Sequence, residues 1–359
     1  MLGIAALIGL VGTAGVLRAA DERTAEVERV DGLAGVLAEI PDEDDPTIEY
    51  PAENYLLVGS DTREGADENS PDFGGIGSAA EVTGRRSDTI MVLRQERNGG
   101  AALMNLPRDL WVEIADTDRS DRINSAYTEG AGRLAKTVSE SLGIPIHHYV
   151  EVDFFGFKDI IDDIGGVEVC VAYAARDANT GLQIDPGCTQ LDGIQALAFA
   201  RSRYFEEWNG QEWVLDGRAD LGRIERQQLF MRAAVDGALR KLRSSPFGSG
   251  DVIEAVIDSV RIDERLDPIR AGEALRQAAE EGMRTYTLPV VNDRVGDKAV
   301  LQLGEGSDEV LAYFRGDGPA PAEFETGVTA SALDNGPAAD AEADTETEAD
   351  TDTEADTDG

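Results

Sequence analysis

Residues 55–60 read YLLVGS, residues 89–95 TIMVLRQ and residues 101–106 AALMNL. Each is a short apolar run bounded by Gly, Asp or Pro, the pattern of strands buried on both faces. Working outward, EGAGRLAKTVSESL (129–142) carries apolar residues at helical spacing, and HYVEVDF (148–154) is another strand. GFKDIIDDIGG (156–166) reads as a helix with its glycine stop, VEVCV (167–171) as a strand, and a further helix begins at Asp192. A longer helix is predicted over 221–243, and RTYTLPVVNDRV (284–295) supplies one more strand followed by a loop that completes the domain. The alternation predicts a single α/β domain with helices packed on a mostly buried sheet. In open sheets of this kind ligands bind beyond the strand ends.

The chain has 359 residues, 42% of them hydrophobic, with 71 carboxylates against 32 basic side chains and a formal net charge of −39. That balance argues against nucleic acid as a ligand, since duplex binding takes most of its affinity from neutralising phosphates. Residues 2–17, LGIAALIGLVGTAGVL, lack any charge and precede Arg18. As a helix this run spans roughly 24 Å against the ~30 Å of a bilayer core, so it is marginal as an anchor unless Ala19, Ala20 and a snorkelling Arg18 extend it. A buried helix is the alternative. The expected organisation is a membrane anchor over 1–20, an acidic stalk or linker over 21–53, the folded domain over 54–316, and a disordered acidic tail over 317–359, whose EADTETEADTDTEADTDG cannot bury apolar surface.

Against that acidity, residues 201–228, RSRYFEEWNGQEWVLDGRADLGRIERQQ, hold arginines at 201, 203, 218, 223 and 226. A guanidinium is a planar, permanently charged fork that matches phosphate oxygens bidentately. The pattern therefore fits a phosphate-sized anion, or equally an internal network with Glu206, Glu207, Asp216, Asp220 and Glu225. Asp61 follows the first strand and Asp88 opens the second, so both sit on one rim if these strands are neighbours. Two carboxylates suit Mg²⁺, with Mn²⁺ as the alternative, the remaining positions going to water and a phosphate-bearing substrate. An Asp after a strand also serves as a turn or cap residue. Arg63, Arg85 and Arg86 lie beside them, and Arg108 follows the third strand in the same way.

Cys170 and Cys188 are the two cysteines, 18 apart. With an export-type N-terminus they read as one disulfide closing a surface loop, contributing about 3 kcal/mol in the chain-entropy model. Zinc is a poor rival, because the adjacent His147 and His148 lack ligand spacing.

Seven segments in order, NYLLVGSDTR (54–63), GRRSDTIMVLR (84–94), LMNLPRDLWV (103–112), DRINSAYTEGAG (121–132), GIPIHHYVEVDFFGFKDIIDDIGGVEV (143–169), LDGIQALAFARSR (191–203) and DLGRIERQQLF (220–230), resemble the successive motifs of the LytR-CpsA-Psr family. The resemblance implies an α/β/α sandwich with a central mixed sheet and an apolar interior that holds a prenyl chain. It implies a membrane-anchored extracytoplasmic transferase that moves a glycopolymer from a polyprenyl-pyrophosphate carrier to peptidoglycan through a phosphodiester link. On the same ground Asp61 and Asp88 are the metal acids. Arg63, Arg86, Arg122, Arg201, Arg203, Arg223, Arg226 and Gln227 are the pyrophosphate-binding set, Arg108 is catalytic, and Asp220 matches an acid near the phosphates. On chemical grounds an Asp could deprotonate the incoming hydroxyl, for which Asp220 is the choice, with pairing to Arg218 or Arg223 as the equal alternative. The segment between Asp61 and Asp88 is longer than the family pattern. A prenyl-pyrophosphate hydrolase and a non-catalytic lipid-glycan binding protein are the competing readings. The first uses the same arginines and metal with water as the attacking group, the second needs fewer of the acids.

Overall fold

The computed structural model describes residues 27–40, 52–60, 87–97, 100–217, 260–268 and 283–321, with the single residues 222, 226, 229, 230, 233 and 271. The chain opens with β1 (Glu28–Arg29), β2 (Ala52–Ser60), β3 (Ser87–Glu96), β4 (Ala101–Leu106), and the small pair β5 (Trp111–Glu113) and β6 (Ser120–Arg122). Helices α1 (Asn124–Tyr127) and α2 (Ala131–Leu142) lead to β7 (His148–Val152), α3 (Phe154–Asp163) and β8 (Val167–Val171). Then come β9 (Ala175–Asp177), β10 (Leu182–Ile184), β11 (Gly187–Leu191), α4 (Gly193–Arg201), β12 (Glu206–Trp208) and β13 (Trp213–Leu215). The described remainder holds β14 (Val260–Ile262), β15 (Met283–Thr287), β16 (Val290–Val295), β17 (Lys298–Leu303) and α5 (Ser307–Arg315).

The main sheet has the order β1-β14-β7-β2-β3-β4-β15. It is mixed, since β2 runs antiparallel to β3 and parallel to β7, while β15 runs parallel to β4. Successive side chains of a strand point to opposite faces, and here both faces are covered. Tyr55 and Leu57 join Met91, Leu93, Val150, Phe157, Ile160 and Phe199 on one side, where α3 and α4 pack. Leu56 and Val58 join Ile90, Val92, Tyr149, Leu134, Val138 and Leu311 on the other, under α2 and α5. The result is the expected three-layer α/β/α sandwich with a mixed central sheet.

Local chemistry sets the helix ends. Asp153 caps α3 by accepting from the Gly156 N–H at 2.8 Å, and Asp192 forms a reciprocal capping box with Gln195 at α4. Gly193 lets α4 lie against α3, since a Cβ there would fall 2.4 Å from the Lys158 carbonyl oxygen.

Two expectations are revised. Residues 27–40, placed in a stalk, belong to the domain instead. There β1 pairs in parallel with β14, and Val27, Val30 and Leu33 are buried in the two cores. A Cβ on Gly132 of α2 would meet the Gly32 carbonyl oxygen at 2.2 Å, so this segment lies tight against that helix. VEVCV is the expected strand, β8, and pairs with β11 in a ribbon apart from the main sheet. The loop expected to follow the strand in RTYTLPVVNDRV (284–295) is instead a hairpin, β16 and β17. Cys170 and Cys188 are register neighbours in the ribbon and are joined as a disulfide. The predicted anchor over 1–20, the tail beyond 321 and most of the 221–243 helix lie outside the described residues.

Candidate active site

The strand directions gather several chain reversals at one rim. Gly59 faces Val152 at the end of β7, Leu106 of β4 faces Ile90, and Thr287 of β15 faces Asn105. The carboxyl ends of β2, β7, β4 and β15 therefore meet the amino end of β3. Gly59 pairs with Thr89 but Ser60 pairs with Ser87, so Asp88 is the extra residue of a β-bulge at the rim. Bulges of this kind re-aim a side chain at a sheet edge. Asp61 follows Ser60 across the same step, itself outside the described residues, as is the Asp88 side chain. The Ser87 hydroxyl is buried and meets no hydrogen-bond partner among the described residues. Among the described residues the oxygen at this step is the Ser87 hydroxyl, of the ligand type a hard divalent cation accepts beside carboxylates and water.

Beside the rim, Pro107 and Arg108 follow β4. Asp109 stands between two of the predicted arginines, 3.6 Å from the Arg108 Nε and 3.4 Å from the Arg122 Nε. Arg122 also donates to the Ala299 carbonyl on β17 at 2.7 and 3.1 Å, and the Leu301 N–H donates to the Asp109 carbonyl. The hairpin β16–β17 thus braces the Arg108 loop, an arrangement no local pattern announces.

The second arginine group leaves α4. Asp177, fully buried at the end of β9, accepts at one carboxylate oxygen from the Ser202 hydroxyl at 2.7 Å and from the N–H groups of Arg203 and Tyr204 at 3.1 and 3.0 Å. Its other oxygen accepts from the Asn179 N–H at 2.8 Å. Burial by itself would raise the Asp177 carboxyl, but these hydrogen bonds hold it below the ordinary carboxylate range. The backbone that carries Arg203 is pinned in this way, while its guanidinium is exposed and meets no acid among the described residues. Glu206, one of the acids offered as an internal partner, is taken by Arg176 at 2.6 Å.

A model of the LytR_cpsA_psr family matches residues 30–312. The chain belongs to the LytR_cpsA_psr family. The chain is 32% identical over 241 residues to a probable cell wall biosynthesis protein, LcpB, of Corynebacterium glutamicum, covering 67% of this chain and 55% of that protein. It is 35% identical over 207 residues to the polyisoprenyl-teichoic acid–peptidoglycan teichoic acid transferase TagU of Bacillus cereus, covering 56% and 59% of the two. The chain thus spans little more than half the length of these curated relatives. Among solved structures, a LytR-Csp2A-Psr enzyme from Actinomyces oris superposes with a TM-score of 0.58 at 25% identity, covering 80% of this chain and 95% of that one.

For a member of the LytR_cpsA_psr family, one predicted pyrophosphate ligand is out of place. Arg226 is buried, its side chain 1% exposed, and its guanidinium donates to Asp216 at 2.7 Å and to the Ser202 carbonyl at 2.9 Å while lying over the Phe205 ring. Gly222 makes room for the pair, since a Cβ there would fall 2.2 Å from an Asp216 oxygen. Arg226 therefore holds the Ser202 turn from within, and its assignment to the phosphates is corrected to a positioning one. Arg108 and Arg122 come together at Asp109, and Arg201 and Arg203 flank the pinned turn. Arg63, Arg86, Asp220, Arg223 and Gln227 lie outside the described residues with Asp61.

Sequence reading of the family motifs missed Asp109 and Asp177, which hold arginines and the turn that carries one, whereas Asp216, offered there as an internal partner, takes that role with Arg226. It also missed Glu151, buried one residue short of the β7 rim. Glu151 accepts from Tyr127 and Tyr149 at 2.8 and 2.7 Å and pairs with Arg261 at 3.0 Å. Burial, then the Glu151 charge, pushes the Tyr149 hydroxyl well up, so it stays a donor at neutral pH.

Proposed function

We propose that this chain transfers a glycopolymer from a polyprenyl-pyrophosphate carrier to peptidoglycan. The observation that supports the reading is the rim, where β2 ends at Ser60, the β2–β3 bulge holds the Asp88 backbone, and Arg108 follows the end of β4. The names of the relatives, one a teichoic acid transferase and one a cell wall biosynthesis protein, support the same class of reaction.

The chemistry follows from charge. A hydroxyl oxygen of the acceptor attacks the phosphorus on the glycan side, an O–P bond forms, the phosphoanhydride bond breaks, and polyprenyl phosphate leaves. The hydroxyl proton passes to a carboxylate, for which Asp220 is the choice. Negative charge accumulates on the phosphoryl oxygens, and guanidinium forks at Arg108, Arg201, Arg203 and Arg223 stabilise it without a strong base. Asp61, Asp88 and the Ser87 hydroxyl would hold Mg²⁺, which supplies further charge neutralisation at the same oxygens when bound. The prenyl chain would run into the apolar layer between the sheet and α3 and α4, and the apolar run at residues 2–17 would hold the domain to the outer face of the membrane.

The test is product analysis with a prenyl-pyrophosphate oligosaccharide, with and without a peptidoglycan acceptor. A phosphodiester-linked adduct is expected only when the acceptor is present. Release of the oligosaccharide phosphate at the same rate either way, with no adduct, would turn the reading into that of a hydrolase. For the metal, Asp61→Ala or Asp88→Ala should abolish turnover at unchanged melting temperature and remove Mn²⁺ binding measured by calorimetry. Full metal binding in both variants would remove the metal assignment.

A further inference from the structure

The four-stranded sheet β10-β9-β12-β13 carries a solvent face that the transfer chemistry leaves unused. Trp208 and Trp213 stand directly across from each other in the antiparallel β12–β13 pair, ring centroids 5.5 Å apart and planes tilted by 56°. The alternate residue on β12, Glu207, is fully buried, so the two indoles are on the outward side of the strands. Trp208 is 38% exposed, Leu215 on the same face 52%, and nearby Tyr204 58%. Indoles gathered on an exposed face, when the core has apolar residues enough to fill itself, mark a binding surface.

We propose that this face is a sugar-binding platform for the glycan, and that it takes uncharged sugar units; the inference rests on the transferase reading above. A pyranose or furanose ring offers a C–H face that packs on an aromatic ring and a perimeter of hydroxyls that needs planar hydrogen-bonding groups. Both are present. Arg176 lies over Trp213 at 4.2 Å and is itself fixed by Glu206 at 2.6 Å, which holds the indole as a rigid surface. Gln183 on β10 faces Arg176 across the strand pair. The turn is stiff, because the Asn209 side-chain oxygen accepts from the N–H groups of Gln211 and Glu212.

Charge selects the class of polymer. Among the described residues of this face, Arg176 is neutralised by Glu206, and Glu212 adds a negative charge at the turn. A polyanionic glycan would be repelled here, an uncharged one would not. Continuity places the face on the glycan's path. Trp208 is five residues beyond Arg203, so their Cα atoms are at most roughly 18 Å apart. Asp177 on β9 pins the Ser202–Tyr204 turn, while the preceding residue of β9, Arg176, pairs with β12. A glycan whose pyrophosphate meets Arg203 therefore leaves across the same small sheet.

The experiment uses the full chain and wall polysaccharide released from the source cells by mild acid, divided by anion exchange into an uncharged and a phosphate-bearing fraction. Calorimetric titration should show saturable binding of the uncharged fraction. Trp208→Ala and Trp213→Ala should each weaken it about tenfold at unchanged melting temperature, and Trp208→Tyr should restore most of the affinity. If Trp213→Ala melts early through loss of the Arg176 stack, Trp208→Ala decides alone. Wild-type affinity in that variant, no binding of either fraction, or tighter binding of the phosphate-bearing one overturns the proposal. So does a monomer on sedimentation that becomes a dimer through these tryptophans, since a second copy would then be the occupant. No prenyl pyrophosphate enters the titration, so a chain that binds polysaccharide yet transfers nothing fails the transferase reading alone.

Discussion

The Ser202 hydroxyl donates to Asp177 at 2.7 Å, and both residues are fully buried. One carboxylate oxygen on β9 thereby fixes the turn that leaves α4, with the Arg203 and Tyr204 N–H groups arriving at the same atom. A charged acceptor of this kind is strong because several oriented donors converge on it out of water. The clamp acts together with Arg226, which donates to the Ser202 carbonyl from the other side, so the turn that carries the Arg203 guanidinium outward is held at both its carbonyl and its N–H groups.

Replacing Asp177 with Ala should therefore leave a buried hydroxyl and three N–H groups, of Arg203, Tyr204 and Asn179, without an acceptor. About 3 kcal/mol of stability should be lost, with a matching fall in affinity for a prenyl pyrophosphate. The direction of its pKa sets the acid behaviour. With the folded value depressed, its stabilisation is fully present above the unfolded carboxylate pKa and is lost as pH falls through the folded one. Urea titrations of the wild type and Asp177→Ala at neutral and acid pH check this, and equal stability of the two at neutral pH would dismiss the clamp.

The Arg226–Asp216 pair allows a sharper test by double-mutant cycle. Removing one partner strands a buried charge, so Arg226→Met or Asp216→Asn should each cost about 3–5 kcal/mol. The double variant should be less destabilised than the sum of the two. Additive losses in chemical denaturation would mean that the two side chains act independently.

Most of the layered fold was legible because its strands are buried on both faces and write themselves as apolar runs: 55–60, 89–95 and 101–106 each fall within a strand of the sheet. The cap at Asp192 and the glycine stop after α3 are short-range signals, and so is the cysteine pair, whose members face each other in one ribbon. What could not be read has partners far away in sequence. Glu28 and Arg29 become a strand only because Arg261 and Ile262 lie beside them, and a two-residue strand has no period. Among the arginines, Arg203 and Arg226 are the same residue type in one basic segment, one facing water and one in the core. Only the tertiary position of Asp216 separates them. The acids that hold the site, Asp109 and Asp177, look in sequence like ordinary turn residues.

His147 supplies a pH dependence in a different window. Burial, followed by the nearby charges of His148, Arg94 and Arg265, pushes its pKa down to about 4. Its Nδ1 accepts from the Asn54 N–H at 2.8 Å, a bond the protonated ring cannot make at that atom. The unfolded chain takes up a proton near pH 6.5 that the native state refuses until about 4, so stability should fall as pH drops between those values. The slope approaches about 1.4 kcal/mol per pH unit. Chemical denaturation at several pH values in this window, repeated with His147→Gln, checks it, and an unchanged slope in the variant would assign the effect to other groups.

The last prediction separates the two arginine roles directly. If Arg203 grips a phosphate, Arg203→Lys keeps the charge and loses the bidentate fork, since an ammonium is a compact point donor. Loss of one charged hydrogen-bond partner at a sequestered phosphate is worth roughly 1.5 to 3 kcal/mol, or about one to two decades in affinity or rate. Its side chain is exposed and meets no acid among the described residues, so the melting temperature should stay where it was. Arg226→Lys should do the reverse. There the fork spans Asp216 and the Ser202 carbonyl in the core, and a lysine cannot reach both in one plane, so melting should drop first. Affinity would then follow only as far as the Ser202 turn loosens. Measuring melting temperature and prenyl-pyrophosphate affinity on both variants gives a crossed pattern if the assignments hold. Unchanged affinity in Arg203→Lys, with lowered melting, would return Arg203 to the internal ion-pair network that its neighbours Glu206 and Asp216 first suggested.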